Sequence, residues 1–230
     1  MRRIFLTIAL VCALALLLAG APRLAASLLR APGNQAAELA LRGAALGPES
    51  YQRGVASRDH SAEWSPARRS LIDLGFIHFN RARQAPAGSP EREALFEQSL
   101  AALHEGLRLS PVNPMAWLLV AAVQLELEAR PEAARALQWA VRTGPHLTVQ
   151  HRMRTIVGLG VWHLVDAPTR RRIVESSRAT LRRDADLVAR AALAAGIASD
   201  LGVRLRLLQP DGEALAEQLD AAVDRVRQTH

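Results

Sequence analysis

The sequence predicts an all-α chain, and three observations carry that expectation. Half of the residues are apolar, yet only 4% are aromatic, and the apolar share is largely Ala and Leu, which are strong helix formers. Apolar positions recur at three- and four-residue intervals through most of the chain, the period of a helix face rather than of a strand. Pro and Gly interrupt that pattern at helix-length intervals. With 230 residues the chain accommodates one domain of ordinary size plus an anchor.

The N-terminus opens with Met1-Arg2-Arg3, and Ile4 to Gly20 then gives seventeen residues without a charge. Basic residues before a short apolar run mark an export leader, either a cleaved signal peptide or an uncleaved transmembrane signal anchor, over residues 1–21. Ala19-Gly20-Ala21 has the small residues of a cleavage site, but Pro22 follows and hinders cleavage there, so the single-pass anchor is favoured. Either outcome expects the rest of the chain on the far side of the inner membrane, in the periplasm. Residues 22–66 read as a linker with a short helix, Gln35 to Leu46, whose Ala36, Ala40, Gly43 and Pro48 make a degenerate half-repeat of a spacing met again below. Gly47 to Pro66 is polar and is expected to be irregular or weakly helical.

The centre of the chain, residues 67–147, carries the clearest organisation. Arg68 to Gln84 predicts a helix with Leu71, Leu74, Gly75 and His78 on one face. A Pro/Gly break follows, and Ser89-Pro90 opens a second helix to about Leu109, with Ser89 as its cap and Glu91 and Glu93 in its first turn. From Pro114, the run Trp117-x2-Val120-Ala121-x2-Gln124 predicts a third helix. Ala133-x3-Leu137-x2-Ala140 predicts a fourth, and Pro145 stops it. Glu128-Ala129-Arg130-Pro131 reads as the turn between the third and fourth. Ser99, Leu103, Gly106 and Pro111 lie 34 residues before Ala133, Leu137, Ala140 and Pro145, so two helical hairpins follow one another in register. Ala121 and Ala133 are small where two helices approach closely, and Trp117 is expected to be buried as the wedge at the wider end. A single hairpin cannot bury its own apolar face, so stacking on neighbours is required.

Residues 148–230 read as a diverged repeat and a helical cap. Thr148 to Leu164 is expected to be helical, followed by a helix from Asp166-Ala167-Pro168 with Ile173, Val174, Ser177 and Leu181 inward. Asp184 to Ala198 predicts a further helix ending near Gly202, and Val203 to Leu208 a helix or extended connector. After a turn at Gln209 to Gly212, Glu213 to Arg227 is amphipathic, with Leu215, Leu219, Ala222 and Val226 on one stripe, the pattern of a C-terminal capping helix.

Chemistry-bearing patterns are sparse. The seven histidines are scattered, with no His-Glu-x-x-His, and there is no phosphate loop, dinucleotide fingerprint or Gly-x-Ser-x-Gly elbow. The one cysteine, Cys12, sits inside the apolar leader and gives neither a disulfide within one chain nor a cysteine metal site. No cofactor, metal or catalytic constellation is therefore expected. Glu213, Glu217, Asp220 and Asp224 form an acidic stripe that reads as a solvated face. Net charge is +7, and all 29 basic residues are Arg. A GC-rich coding sequence accounts for that composition, and an export leader takes the chain away from nucleic acid. Between Thr148 and Arg183 eight arginines face only Asp166 and Glu175. Arg171, Arg178 and Arg182 share one helix face there and are the candidate anion-binding residues, for an anionic polysaccharide, a lipid surface or an acidic partner. An ordinary solvated arginine face is the alternative.

The set Leu71, Gly75, Leu103, Pro111, Trp117, Ala121, Ala133, Leu137, Ala140 and Pro145 resembles the tetratricopeptide (TPR) repeat, closely over residues 68–147 and weakly over 148–181. Two positions depart from that pattern: Gln124 stands where an aromatic is usual and Ala121 where Gly is usual. The resemblance implies a short TPR-like α-solenoid whose concave groove binds a peptide, helix or loop of a partner. The layout of an export anchor, a short repeat region and an arginine-rich tail also resembles small membrane-anchored TPR proteins of bacterial exopolysaccharide synthesis and export. That likeness implies a scaffold for an envelope protein partner, rather than an enzyme.

Overall fold

A computed structural model of the chain describes residues 2–64, 68–146, 151–208 and 210–229, with side chains described from residue 10 onward except at 68. The expected segment ends at Pro66, Leu147 and Thr148, the turn residue Gln209, and the terminal Met1 and His230 lie outside the described residues. Among the described residues there are twelve α-helices and no strand, so the chain is all-α. It forms two compact units, Met1–Ser110 and Pro111–His230.

The first unit opens with α1, Arg2–Arg30, which runs on through Pro22 although that residue has no N–H for the helical ladder. A 3-10 turn, Ala31–Gly33, links it to α2, Asn34–Leu41. The helix from Leu10 is long and apolar enough to cross a membrane, and nearly all of its apolar stretch is exposed. Then come α3, Pro48–Trp64, α4, Arg68–Gln84, and α5, Pro90–Leu109. The bounds of α4 and α5 are those read from the sequence, and the Ser89 hydroxyl accepts from the Arg92 amide as the cap. In the segment expected to be irregular or weakly helical, 47–66, Pro48–Trp64 is a continuous 17-residue helix. Its alternation is faint because α3 buries small and polar groups, Gly54, Ser57, Arg58 and Ser61, rather than large apolar ones. Residues 22–64, expected to be a linker with a short helix, are thus packed helices: α1 and α2 both lie against α3, and α2 and α3 both lie against α4.

Helices α4 and α5 form the hairpin expected from the spacing. Gly75 is where they approach most closely: a Cβ there would meet Leu103 Cγ at 2.6 Å and the Ser99 carbonyl oxygen at 3.4 Å. The Ser99 hydroxyl donates to the Gly75 carbonyl at 2.8 Å. A small residue is therefore required at 75, as its place in the pattern implied. Leu103 is fully buried and Leu71 partly so.

In the second unit, α6, Pro114–Glu126, and α7, Arg130–Thr143, form the next hairpin. Asn113 Oδ1 accepts from the Ala116 amide as the N-cap of α6. Glu128 turns the chain with φ +60, a left-handed conformation uncommon for a residue with a Cβ. Ala121, Ala133, Leu137 and Ala140 are fully buried between the helices. After α7 come α8, His151–Gly160, a 3-10 turn Trp162–Leu164, and α9, Ala167–Leu181. Asp166 caps α9 by accepting from the Thr169 amide at 2.9 Å, and Ile173, Val174, Ser177 and Leu181 are inward as expected. The helix expected over 184–198 is two helices: α10, Ala185–Ala194, and α11, Ala198–Arg206. Gly196, at φ +69, breaks them in a conformation that other residues resist. Finally α12, Gly212–Gln228, buries Leu215, Leu219, Ala222 and Val226 against α9, α10 and α11.

Packing in this unit follows chain order. Helix α8 lies on both α6 and α7, α10 on both α8 and α9, and α11 on α9 and α10. Within this unit α8 and α9 thus pack on the α6/α7 hairpin, and α10 and α11 pack on α8 and α9 in turn.

Candidate functional site

The expected arginine face lies on α9, and the fold has already drawn on it. Arg178 Nη2 is 2.5 Å from Asp211 Oδ1, and Arg182 Nη2 donates to the other carboxylate oxygen of the same residue. Asp211 precedes α12, so two of the three guanidiniums singled out for anions hold a carboxylate that ties α9 to the start of the last helix. The hydrogen bond from Arg182 is the main cause that holds the Asp211 carboxyl below the ordinary carboxylate range. Arg171 is exposed and has no ion pair among the described residues. Elsewhere in the cluster Arg152 reaches Asp184 at 3.0 Å and Arg172 reaches Glu175 at 2.6 Å. Arg154 is fully buried and donates to the Gly144 carbonyl at 3.0 Å and to that of Pro145 at 3.5 Å, closing the open end of α7. The acidic stripe of α12 is likewise engaged, since Arg206 bridges Glu213 and Asp220.

Trp117 is not the buried wedge that its position implied. It is partly exposed, and its indole N–H donates to the Pro111 carbonyl at 2.7 Å. Its ring lies against that of Trp139, with centroids 5.9 Å apart and planes 22° from parallel. Trp139 is 48% exposed, and the Arg142 guanidinium sits 5.7 Å from its ring centre. The core of the hairpin is filled instead by Leu118, Leu119 and Val120, all nearly inaccessible. Pro111 therefore serves as a hydrogen-bond acceptor, and the two tryptophans with Arg142, whose guanidinium also reaches Asp166 Oδ2 at 3.5 Å, make an exposed patch of residue types enriched in protein interfaces. Trp139 was legible only as the residue before Ala140 in the repeat.

A polar centre in the first unit had no signal in the apolar periodicity. Arg58 of α3 is 1% exposed. It donates to the carbonyl of Arg30 at the end of α1 (3.0 Å), to Asn34 Oδ1 at the start of α2 (3.2 Å) and to Asp73 Oδ2 on α4 (3.0 Å). Burial lowers the affinity of this guanidinium for its proton, and the Asp73 carboxylate opposes that effect. The approach is close: a Cβ at Gly33 would collide with Ser57 Oγ and meet Arg58 Nη1 at 2.6 Å. One side chain thus joins four helices at the foot of α1.

His78, at an inward repeat position, is buried and packs edge-on against Tyr51, whose hydroxyl lies 3.0 Å from Nδ1. Burial holds its pKa down to about 4. No group of three or more His, Cys, Asp or Glu side chains is arranged to hold a metal ion among the described residues. The arrangement can fix one helix on another and present aromatic and guanidinium groups to a partner surface. No protein-family model matches the chain, and no curated protein and no solved structure matches it.

Proposed function

We propose that the chain is a membrane-anchored, TPR-like scaffold that holds a protein partner in the bacterial cell envelope, in the synthesis or export of polysaccharide. The observation that supports this reading best is the packing order of the second unit. There α8/α9 rests on α6/α7, and α10/α11 rests on α8/α9, as successive pairs do in helical-repeat binding domains. The apolar α1 supplies the single-pass anchor, with the helical units on the periplasmic side. The Trp117, Trp139 and Arg142 patch supplies residue types that dominate interface energies. Affinity capture of the full-length protein from membranes in a gentle detergent tests the scaffold. A stoichiometric envelope protein that is lost from the Trp139→Ala variant is the expected result. Recovery of no stable partner overturns the reading.

A second reading rests on Arg171, which is exposed and unpaired among the described residues beside the Arg178 and Arg182 clamp. It makes α9 a binder of an anionic glycan or lipid surface. Binding that weakens steeply with salt and is lost from an Arg171→Gln variant selects this reading over the first.

A further inference from the structure

The end of α3 lies alongside the point where α1 stops being continuously apolar. The contacts fix the direction of α3: Gly54 lies against Ala36, Ser57 against Gly33, and Arg58 against Arg30, so each step forward in α3 is a step back toward the start of α1. Beyond Arg58 the two helices stay packed, with Ser61 and Ala26 both buried. The same register puts Trp64, the last residue of α3, level with Leu24 to Ala26 of α1. That level is the edge of the uncharged run, which ends at Pro22 and is followed by Arg23. Trp64 is 56% exposed there. On the side of α1 turned from α3, Leu24 and Leu28 are 63% and 65% exposed. Arg23 and Arg69 are exposed as well, and Arg69 lies near enough to Arg58 to perturb it.

An exposed tryptophan, two exposed leucines and two guanidiniums at the boundary of an apolar helix form the set that a bilayer interface accommodates. The indole and Leu28 sit at headgroup level, Leu24 faces the acyl-chain boundary, and the guanidiniums meet phosphates. We infer that the Trp64 end of the first unit is seated in the headgroup layer of the membrane that α1 crosses, with Trp64 as its aromatic anchor and Arg23 and Arg69 on lipid phosphates. Arg58 makes this seat rigid, because it binds the last carbonyl of α1, the first residue of α2 and Asp73 of α4 together. The inference rests on the anchor reading of α1.

The test uses the full-length protein in vesicles of phosphatidylcholine and phosphatidylglycerol, with a nitroxide carried either near the headgroup or at the bilayer centre. The Trp64 signal is the difference in emission between the wild type and a Trp64→Phe variant. The expected result is that the shallow nitroxide quenches this signal, the deep one does so weakly, and aqueous iodide does not. Quenching by iodide alone overturns the inference, and so does a signal that neither lipid nor iodide reaches, which would mean that protein covers the indole. Cys12, the single cysteine, reports on the anchor separately. If it reacts with a lipid-soluble maleimide and not with a charged one, α1 is inserted, and a failure at Trp64 belongs to the seat alone. If the charged reagent labels it, both readings fall.

Discussion

The indole of Trp117 on α6 stacks on that of Trp139 on α7, 5.9 Å between centroids and 22° from parallel, at the edge of the hairpin rather than in its core. An offset stack of this kind contributes about 0.5–1.5 kcal/mol beyond the area it buries. Because Trp117 is partly exposed, its truncation to alanine costs less than the ~3–5 kcal/mol of a buried tryptophan. A double-mutant cycle of Trp117→Ala and Trp139→Ala, followed by urea unfolding of the micelle-bound protein, should give a coupling of about 1 kcal/mol. Additive losses would mean that the stack carries no energy of its own.

Asp211 is the hinge of the second prediction, because it occupies both Arg178 and Arg182. Replacing it with asparagine frees two guanidiniums beside the exposed Arg171 while loosening α12 from α9. The Asp211→Asn variant should therefore melt at a lower temperature and yet elute from an anionic matrix at higher salt than the wild type. Unchanged elution would show that these arginines do not face solvent when released.

Arg58 and Asp73 carry the third. A guanidinium that is 1% exposed depends on its carboxylate, and removing one partner of a buried pair costs about 3–5 kcal/mol. Asp73→Asn should destabilise the first unit by roughly that amount, and Asp73→Glu, which keeps the charge, should cost much less. Trp64 is the one tryptophan of residues 1–110, so the emission that a Trp64→Phe background lacks follows this unit during unfolding. A loss below about 1 kcal/mol for Asp73→Asn would mean that water reaches the guanidinium and the pair behaves as an exposed one.

These cases also mark what could be read from the chain. The hairpins α4/α5 and α6/α7 were legible because their faces alternate Leu, Gly and Ala at helical spacing, and Gly75 against Leu103 is a contact that only such spacing makes. Helix α3 was not legible, since it packs through Gly54, Ser57, Arg58 and Ser61, groups that hydropathy counts as surface. The break at Gly196 is hidden because Ala194 and Ala195 precede it, Ile197 and Ala198 follow it, and the helical pattern resumes at once. Trp117 misled for a different reason. Its spacing gave the right helix, but spacing does not say which way a large ring leaves the helix, and the Pro111 carbonyl draws the indole N–H outward. Arg171 and Arg178 lie on α9 and Arg182 at its C-cap, while Asp211, distant in sequence, could not be paired with them from spacing alone.

The last prediction follows from His78. Its pKa is held down to about 4 by burial, against an ordinary value of 6.5 in the unfolded chain. The folded protein therefore keeps the ring neutral, accepting from the Tyr51 hydroxyl or donating to it, while the unfolded chain takes up a proton as the pH falls through 6.5. The sign is fixed: with the folded pKa below the unfolded one, the unfolded state binds more protons on acidification, so stability rises with pH in this range. Burial of the neutral ring has no proton-linked cost above neutrality, and the stability lost grows progressively between pH 6.5 and about 4, to about 3 kcal/mol at the acid end. Chemical unfolding of the full-length protein in micelles, followed by Trp64 emission at a series of pH values, measures it. The slope over this range should flatten in a His78→Gln variant, which offers Tyr51 a polar partner without a proton to gain. An equal slope in both proteins would assign the acid sensitivity to the carboxylates instead.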